Sequence, residues 1–339
     1  MKNTSFCVLS LIPKKRFLAA KPNIPEWMSL LHWDDLDELS QSMPSGFQAV
    51  LGGGTPIPHE VLNTPGLEMV QLVSAGHDRV DMSFVANLGL LVCNNPGANA
   101  QAVAEHILMT LLYFARRAGE AQAIVYSGQF ADGRFRIMGP QLRNLSEMTI
   151  GIVGLGAIGQ RFAELVHPFG SKLLYSSRTR NIHVEAMLGL EYRELDELLQ
   201  EADAIAVALP LTSQSYHLFD ARGFALMKPT AIFINVGRGG VVDQQALVEA
   251  LLTRQIYAAG LDVFEPEPIP SDHYLLHINN DIKNRLLLSP HTAGLTHFSW
   301  VNMVQNAIDN LVRYAIDHQP YHVITRLEQK GNIVTLKYS

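Results

Sequence analysis

Thr149-Ile150-Gly151-Ile152-Val153-Gly154-Leu155-Gly156-Ala157-Ile158-Gly159 decides the fold of this chain. Residues 149–153 read as a short buried strand, and the apolar spacing from Gln160 to Val166 continues as a helix. Between them stands G-x-G-x-x-G, which in this strand-to-helix setting predicts a dinucleotide site. Gly154 permits the tight turn, Gly156 lets backbone approach a pyrophosphate, and Gly159 lets the helix pack closely on the strand. Ala157 and Ile158 lie on the first helical turn, whose N–H groups and partial positive charge favour an anion.

Downstream, short apolar runs alternate with helical stretches. Lys172–Tyr175, Ala204–Leu209, Ala231–Val236, Ala258–Val263 and Leu286–Ser289 read as strands, while Glu194–Glu201, Asp220–Met227 and Gln244–Leu252 read as helices. With the fingerprint strand this predicts six nearly continuously apolar strands, as a parallel sheet covered on both faces requires. Upstream, Val8–Leu11, Ala49–Leu51, Met69–Leu72 and Leu91–Cys93 form a second, shorter pattern of the same kind. Gln101–Arg117 reads as one helix linking the two patterns, and Thr296–Tyr314 as a helix returning to the first. The expected fold is therefore α/β, with two Rossmann-like doubly wound parallel-sheet domains. Residues 101–294 bind dinucleotide and are inserted into a domain made of 1–100 and 295–339. Two crossings predict a hinge, with the active site in its cleft.

The chain has 339 residues, 47% hydrophobic and 17% charged, with a net charge of −6. Such a balance gives no reason to expect a nucleic-acid partner. No apolar run approaches membrane-spanning length, so no membrane partner is expected. Phe6–Ile12 is short and leads into Lys14-Lys15-Arg16, which reads as a first strand and not as a signal peptide. Cys7 and Cys93 sit in apolar stretches as buried thiols, consistent with a cytoplasmic protein.

Further motifs carry a family resemblance. Asn235-Val236-Gly237-Arg238-Gly239-Gly240-Val241-Val242-Asp243, Gly260-Leu261-Asp262-Val263-Phe264-Glu265-Pro266-Glu267-Pro268 and Ser289-Pro290-His291-Thr292-Ala293-Gly294 resemble the signatures of the D-isomer-specific 2-hydroxyacid dehydrogenases. Gly76-His77-Asp78-Arg79-Val80-Asp81, Asn95-Pro96-Gly97 and Val103-Ala104-Glu105-His106 extend the match upstream in the same order. The resemblance implies a homodimer joined through the dinucleotide domains. It also implies hydride exchange between a nicotinamide cofactor and a D-2-hydroxy acid or 2-oxo acid, with cofactor contacts at Leu209, Val236, Gly237, Asp262, His291 and Gly294.

That chemistry needs a proton donor for the developing alkoxide and a cation for the substrate carboxylate. His291 is the candidate acid, since an imidazole titrates near neutral pH. Glu267, which precedes a proline as the family's glutamate does, is the carboxylate to stabilise the imidazolium. Arg238, following a strand, offers a fork of donors to carboxylate and carbonyl oxygen. The resemblance places substrate-binding backbone donors at Ala75 and Gly76 and assigns Asp262 to the nicotinamide carboxamide. Ala75 stands where phosphite-oxidising relatives carry lysine, and Glu267 where formate dehydrogenases carry glutamine, so neither substrate is expected. His106, on the linking helix beside Glu105, reads as structural or as a residue standing just behind the reacting groups, and His77, His273, His277 and His297 stay undecided. No histidine, cysteine or carboxylate spacing suggests a metal.

The segment Tyr175-Ser176-Ser177-Arg178-Thr179-Arg180 bears on cofactor choice. Where an NAD-selective site carries an acid for the ribose 2′-hydroxyl, this chain has Ser177, followed by Arg178. That favours NADP(H), with NAD(H) possible. Similar segments occur in glyoxylate and hydroxypyruvate reductases of the family, which makes those acids the leading substrates. Between Glu267 and His291 the chain is longer than the family usual, through Leu275–Arg285; these residues could remodel the cleft mouth, but a surface bulge is the expectation. The alternative function is a nucleotide-sensing, corepressor-like binding protein on the same fold.

Overall fold

The computed structural model describes residues 6–35, 45–139, 142–330 and 333–338. The chain divides into two compact units, Met1–Asn99 with Leu295–Ser339, and Ala100–Gly294. In the first unit the strands are β1 (Phe6–Ser10), β2 (Met28–His32), β3 (Ala49–Gly52), β4 (Met69–Leu72) and β5 (Leu91–Cys93). They form one parallel sheet in the order β2-β1-β3-β4-β5, the shorter of the two common doubly wound arrangements. The helix His297–Asp317 lays Met303, Val304, Ala307, Ile308 and Leu311 on this sheet's face beside Val8, Leu51 and Met69. Asn310 donates to Gln71 at 2.6 Å, and Tyr314 donates to Glu68 at 2.8 Å. Residues Thr325–Lys330 (β13) and Ile333–Tyr338 (β14) pair as an antiparallel hairpin.

The second unit holds β6 (Thr149–Val153), β7 (Lys172–Ser176), β8 (Glu191–Tyr192), β9 (Ala204–Val207), β10 (Ile232–Asn235), β11 (Ala258–Leu261) and β12 (Leu286–Leu288). Their order is β12-β11-β10-β9-β6-β7-β8, and every pair is parallel. Read from β8 this is the 3-2-1-4-5-6 order of dinucleotide domains with one strand added, and the direction of winding reverses between β6 and β9. Successive strand residues face opposite sides. Ala204, Ala206, Ile232 and Ile234 enter one core, while Ile205, Val207, Phe233 and Ala259 enter the other. Both sides are buried, which is why these strands read as unbroken apolar runs.

Three expectations are corrected. The second sheet has seven strands and not six, because the edge strand β8 is only two residues long. The first sheet gains β2, a half-exposed edge strand whose Met28-Ser29-Leu30-Leu31-His32 lacks clean alternation. The linking helix ends at Ala115, and Arg117 turns left-handed at φ 48° before a second helix starts at Ala118. Among the described residues no helix is long and apolar enough to cross a membrane.

Asp203 ties the start of three strands together. Its carboxylate, 7% exposed, accepts from Thr149 N at 2.8 Å, Lys228 Nζ at 3.1 Å and Arg143 Nη1 at 3.2 Å. Burial pushes this carboxyl up, but the Thr149 N–H and the two cations outweigh it, and it lies below its ordinary value. A depressed carboxyl stabilises the fold above the unfolded-state pKa, and that contribution disappears as pH falls through the folded-state value. Asp203→Asn is therefore expected to cost about 1–3 kcal/mol at neutral pH. In thermal melts the gap from wild type should narrow as pH falls below about 4; a gap independent of pH would refute the assignment.

Candidate active site

The fingerprint glycines are set by contact. Gly154 adopts φ +97°, and a Cβ there would lie 2.8 Å from Ala208 O. A Cβ on Gly159 would lie 2.1 Å from Gly154 O. Gly237 is equally confined, its Cβ position 2.4 Å from Leu209 O. The loops after β6, β9 and β10 therefore abut backbone to backbone, bringing together Gly154, Leu209, Val236 and Gly237. Gly156 differs: a Cβ there would meet nothing within 4 Å. It caps the helix Ala157–Val166 with no side chain bonded to the cap, and among the described residues no hydrogen bond engages the first-turn N–H groups of Ala157 and Ile158. This cradle fits a dinucleotide pyrophosphate.

Beyond β7, Ser177 donates to Thr179 O at 2.6 Å, and Arg178 is exposed with no ion pair among the described residues. Arg180 is committed elsewhere. Its Nε and Nη2 reach Glu185 at 3.0 and 2.7 Å, and the Tyr175 hydroxyl donates to the same carboxylate at 2.6 Å. The Arg180 guanidinium first, and Tyr175 second, hold the Glu185 carboxyl below its usual range.

Arg238, Glu267 and His291 follow three neighbouring strands, β10, β11 and β12, at their carboxyl ends. Asn235, fully buried, shapes the Arg238 loop by accepting from Gly237 N at 3.0 Å and donating to Arg238 O at 2.9 Å. Gly239 packs on the next loop, its Cβ position 2.0 Å from Phe264 O. His291 Nδ1 lies 2.7 Å from Glu267 Oε1. The side chains are 43% and 19% exposed, so the pair is reachable from outside. With Nδ1 engaged, Nε2 is the nitrogen left for a substrate oxygen.

His291 has a left-handed backbone, φ 54°. A side chain in this region costs about 1–2 kcal/mol; the His291 N–H reaches Ser289 O at 3.0 Å, and Asp262 supplies the rest of its support. Asp262 accepts from three consecutive N–H groups: His291 on its carbonyl at 2.8 Å, Thr292 on Oδ1 at 2.9 Å and Ala293 on Oδ2 at 2.9 Å. Ser289 adds its hydroxyl to Oδ1 at 2.6 Å, and His106 Nε2 stands 3.2 Å from that hydroxyl. Asp262 is 1% exposed, and its carboxylate is turned into this loop. Gly294, also buried, closes the turn.

In the first unit the Ser74-Ala75-Gly76 loop follows β4 and is held by its carbonyls. Asn94 donates to Ala75 O at 2.7 Å, Ser74 Oγ to Gly76 O at 3.1 Å, and Asn95 N to Ser74 O at 3.0 Å. Among the described residues no hydrogen bond engages the N–H of Ala75 or Gly76. No group of histidine, cysteine and carboxylate side chains among them could hold a metal ion.

Residues 108–293 match the model of the D-isomer specific 2-hydroxyacid dehydrogenase NAD-binding domain. A glyoxylate reductase of Aeropyrum pernix is 39% identical over 267 residues, 77% of this chain and 77% of that protein. The crystal structure of an NADPH-dependent glyoxylate/hydroxypyruvate reductase of Sinorhizobium meliloti, in complex with NADP and malonate, is 27% identical. It has a TM-score of 0.76 and covers 94% of this chain and 97% of its own. A D-lactate dehydrogenase of Aquifex aeolicus, complexed with NAD and lactic acid, is 25% identical at TM-score 0.76, covering 91% and 95%. This chain belongs to the D-isomer-specific 2-hydroxyacid dehydrogenase family. It is an oxidoreductase that exchanges hydride between a nicotinamide cofactor and a D-2-hydroxy acid or 2-oxo acid. None of these matches supports the corepressor-like alternative.

Sequence reasoning overlooked several residues of this dehydrogenase. Ser289 and Asn235 stood inside quoted motifs without a role, and Tyr175 and Glu185 were passed over. The signal for Ser289 was its place two residues before His291, opposite an acid that ends the preceding strand. The longer segment between Glu267 and His291 is not a surface bulge. Leu275 and Ile282, each 1% exposed, enter the core beside Phe264 and Leu286, and Arg285 donates to Leu251 O at 2.8 Å and Tyr257 O at 3.1 Å.

Two glycine variants separate frame from cradle. Gly159→Ala forces a Cβ onto Gly154 O and should lower the melting temperature by several degrees. Gly156→Ala should leave the melting temperature unchanged yet weaken dinucleotide binding at least about tenfold in a fluorescence titration. Equal binding by the Gly156 variant and wild type would reject the cradle.

Proposed function

We propose that this dehydrogenase works mainly as a reductase of small 2-oxo acids, glyoxylate or hydroxypyruvate, with NADPH as the preferred cofactor. The 2.7 Å contact between His291 Nδ1 and Glu267 carries the reading, because it leaves Nε2 to face a reacting oxygen. When bound, the nicotinamide supplies a hydride to the carbonyl carbon. The charge that develops on the carbonyl oxygen is met by the proton on His291 Nε2. Glu267 holds the ring in position and stabilises it while charged. Arg238 orients the carboxylate and carbonyl oxygen through its planar fork, and the N–H groups of Ala75 and Gly76 are assigned to the carboxylate. The names of the Aeropyrum and Sinorhizobium proteins support the choice of acid.

The cofactor preference rests on the end of β7. An exposed Arg178 beside Ser177 suits a 2′-phosphate, and no carboxylate stands at position 177 to repel one. Because Arg180 is bound to Glu185, Arg178 carries most of the discrimination. The unpaired thiols of Cys7 and Cys93 support a reducing, cytoplasmic setting.

A homodimer is part of the same reading. Val125, Tyr126, Phe130, Phe135 and Met138 are between 56% and 82% exposed, and so many exposed apolar side chains in one short segment support a contact surface there. They lie on and just after the helices Ala118–Tyr126 and Phe130–Ile137 of the second unit. A second copy of this chain is proposed to cover them.

Turnover is read from the loss of reduced-nicotinamide absorbance with a panel of 2-oxo acids. One acid should turn over, and His291→Ala should lower kcat by about a hundredfold to ten-thousandfold; full activity in that variant would reject the proton donor. Arg178→Ala should raise the KM for NADPH about tenfold and leave that for NADH within about twofold, whereas Arg180→Ala should do less. The reverse ranking would move the phosphate contact to Arg180. In sedimentation, Tyr126→Ser combined with Phe135→Ser should convert dimer to monomer, and an unchanged mass would exclude this surface.

A further inference from the structure

We propose that His106 is a positioning residue for the proton donor, acting through Ser289 and Asp262. The inference rests on the reading of His291 as the acid and adds a residue that lies outside the reacting centre. His106 stands on the helix Ala100–Ala115 with its Nε2 3.2 Å from Ser289 Oγ, and Ser289 Oγ is 2.6 Å from Asp262 Oδ1.

The direction of these bonds follows from counting protons. The Asp262 carboxylate already accepts from Thr292 N and Ala293 N, and an ionised carboxylate only accepts. Ser289 has a single hydroxyl proton, and the 2.6 Å contact directs it to Asp262. The longer contact must then run the other way, with His106 Nε2–H donating to the Ser289 oxygen. His106 is thereby assigned the Nε2–H tautomer. With its acceptor site filled, the Ser289 hydroxyl is both oriented and polarised toward Asp262. An imidazole carrying its proton on Nδ1 would draw the one hydroxyl proton away from the carboxylate.

Asp262 is where this chain meets the acid. The N–H groups of His291, Thr292 and Ala293 all terminate on it, and the left-handed backbone at His291 depends on them. A carboxylate that swings on its Cβ turns this loop and carries the imidazole with it. His106 touches neither Glu267 nor His291 in this arrangement, so its effect belongs to aim and not to proton transfer.

The test uses the whole enzyme. His106→Leu removes the donor, while His106→Gln keeps an N–H in reach of Ser289. His106→Leu should lower kcat about tenfold, the worth of one hydrogen bond to an aligned site, with both KM values within about twofold. His106→Gln should recover to within about threefold of wild type, which lost packing alone would not allow. Ser289→Ala should match His106→Leu, and the double variant should be no slower than Ser289→Ala, since both act through one chain. Nitrogen-15 spectra of the ring, assigned by the signal missing in His106→Gln, should report Nε2–H in wild type. An unchanged kcat in His106→Leu, a glutamine as slow as leucine, losses that multiply, or an Nδ1–H ring would each overturn the proposal. A wild type idle toward 2-oxo acids would overturn the reductase reading instead, and the ring spectrum would still decide the hydrogen-bond chain.

Discussion

The active loop depends on one carboxylate. Asp262 directly follows β11 in a place with 1% exposure, where an ionised group without donors would cost several kcal/mol and where three protein donors now meet it. Together with its carbonyl it collects three successive N–H groups, one of them from His291. Each bond to a charged acceptor is worth about 1.5–3 kcal/mol, which exceeds the roughly 1–2 kcal/mol of a left-handed side-chain residue. The strained backbone is therefore the favoured one here, and the acid is aimed by main-chain geometry before any side-chain torsion is set.

The parallel sheet supplies the rest of the geometry. Strands β10, β11 and β12 are neighbours, about 4.8 Å apart as sheet strands are, and all end on the same side. A residue a few positions beyond each strand can then reach its neighbour's counterpart. Glu267 and His291 meet in this way although 24 positions apart in sequence, and Arg238 follows the next strand in the row. The reversal of winding between β6 and β9 opens the crevice at which the glycine turn faces outward.

Much of this was legible in the sequence because the decisive positions tolerate few residue types. Gly154, Gly159 and Gly237 each have backbone where a Cβ would stand, so their pattern survives as a readable signature. Fully buried strands such as β9 and β10 announce themselves as apolar runs. Two of the four edge strands do not: β8 is two residues long, and β2 mixes serine and histidine into a half-exposed face. The end of the linking helix was legible to within two residues, but the left-handed turn at Arg117, φ 48°, and the second helix that follows it were not. Hydrogen-bond networks were the least legible part. The Arg180–Glu185 pair spans only five residues and still went unread, and nothing local to Asp262 says that its carboxylate faces the His291 loop, since that depends on which strands lie side by side.

The close packing of loop backbones also sets where this site can vary. At Gly154, Gly237 and Gly239 an added methyl would collide with the main chain of an adjoining loop, so a substitution there is transmitted sideways and disturbs two loops at once. Gly156 has no such neighbour, and its Cα hydrogen points into open space. The rim of the cradle is thus divided into positions that hold the frame and a position that only meets the ligand. A side chain added at the second kind is felt by the bound dinucleotide and leaves the frame undisturbed.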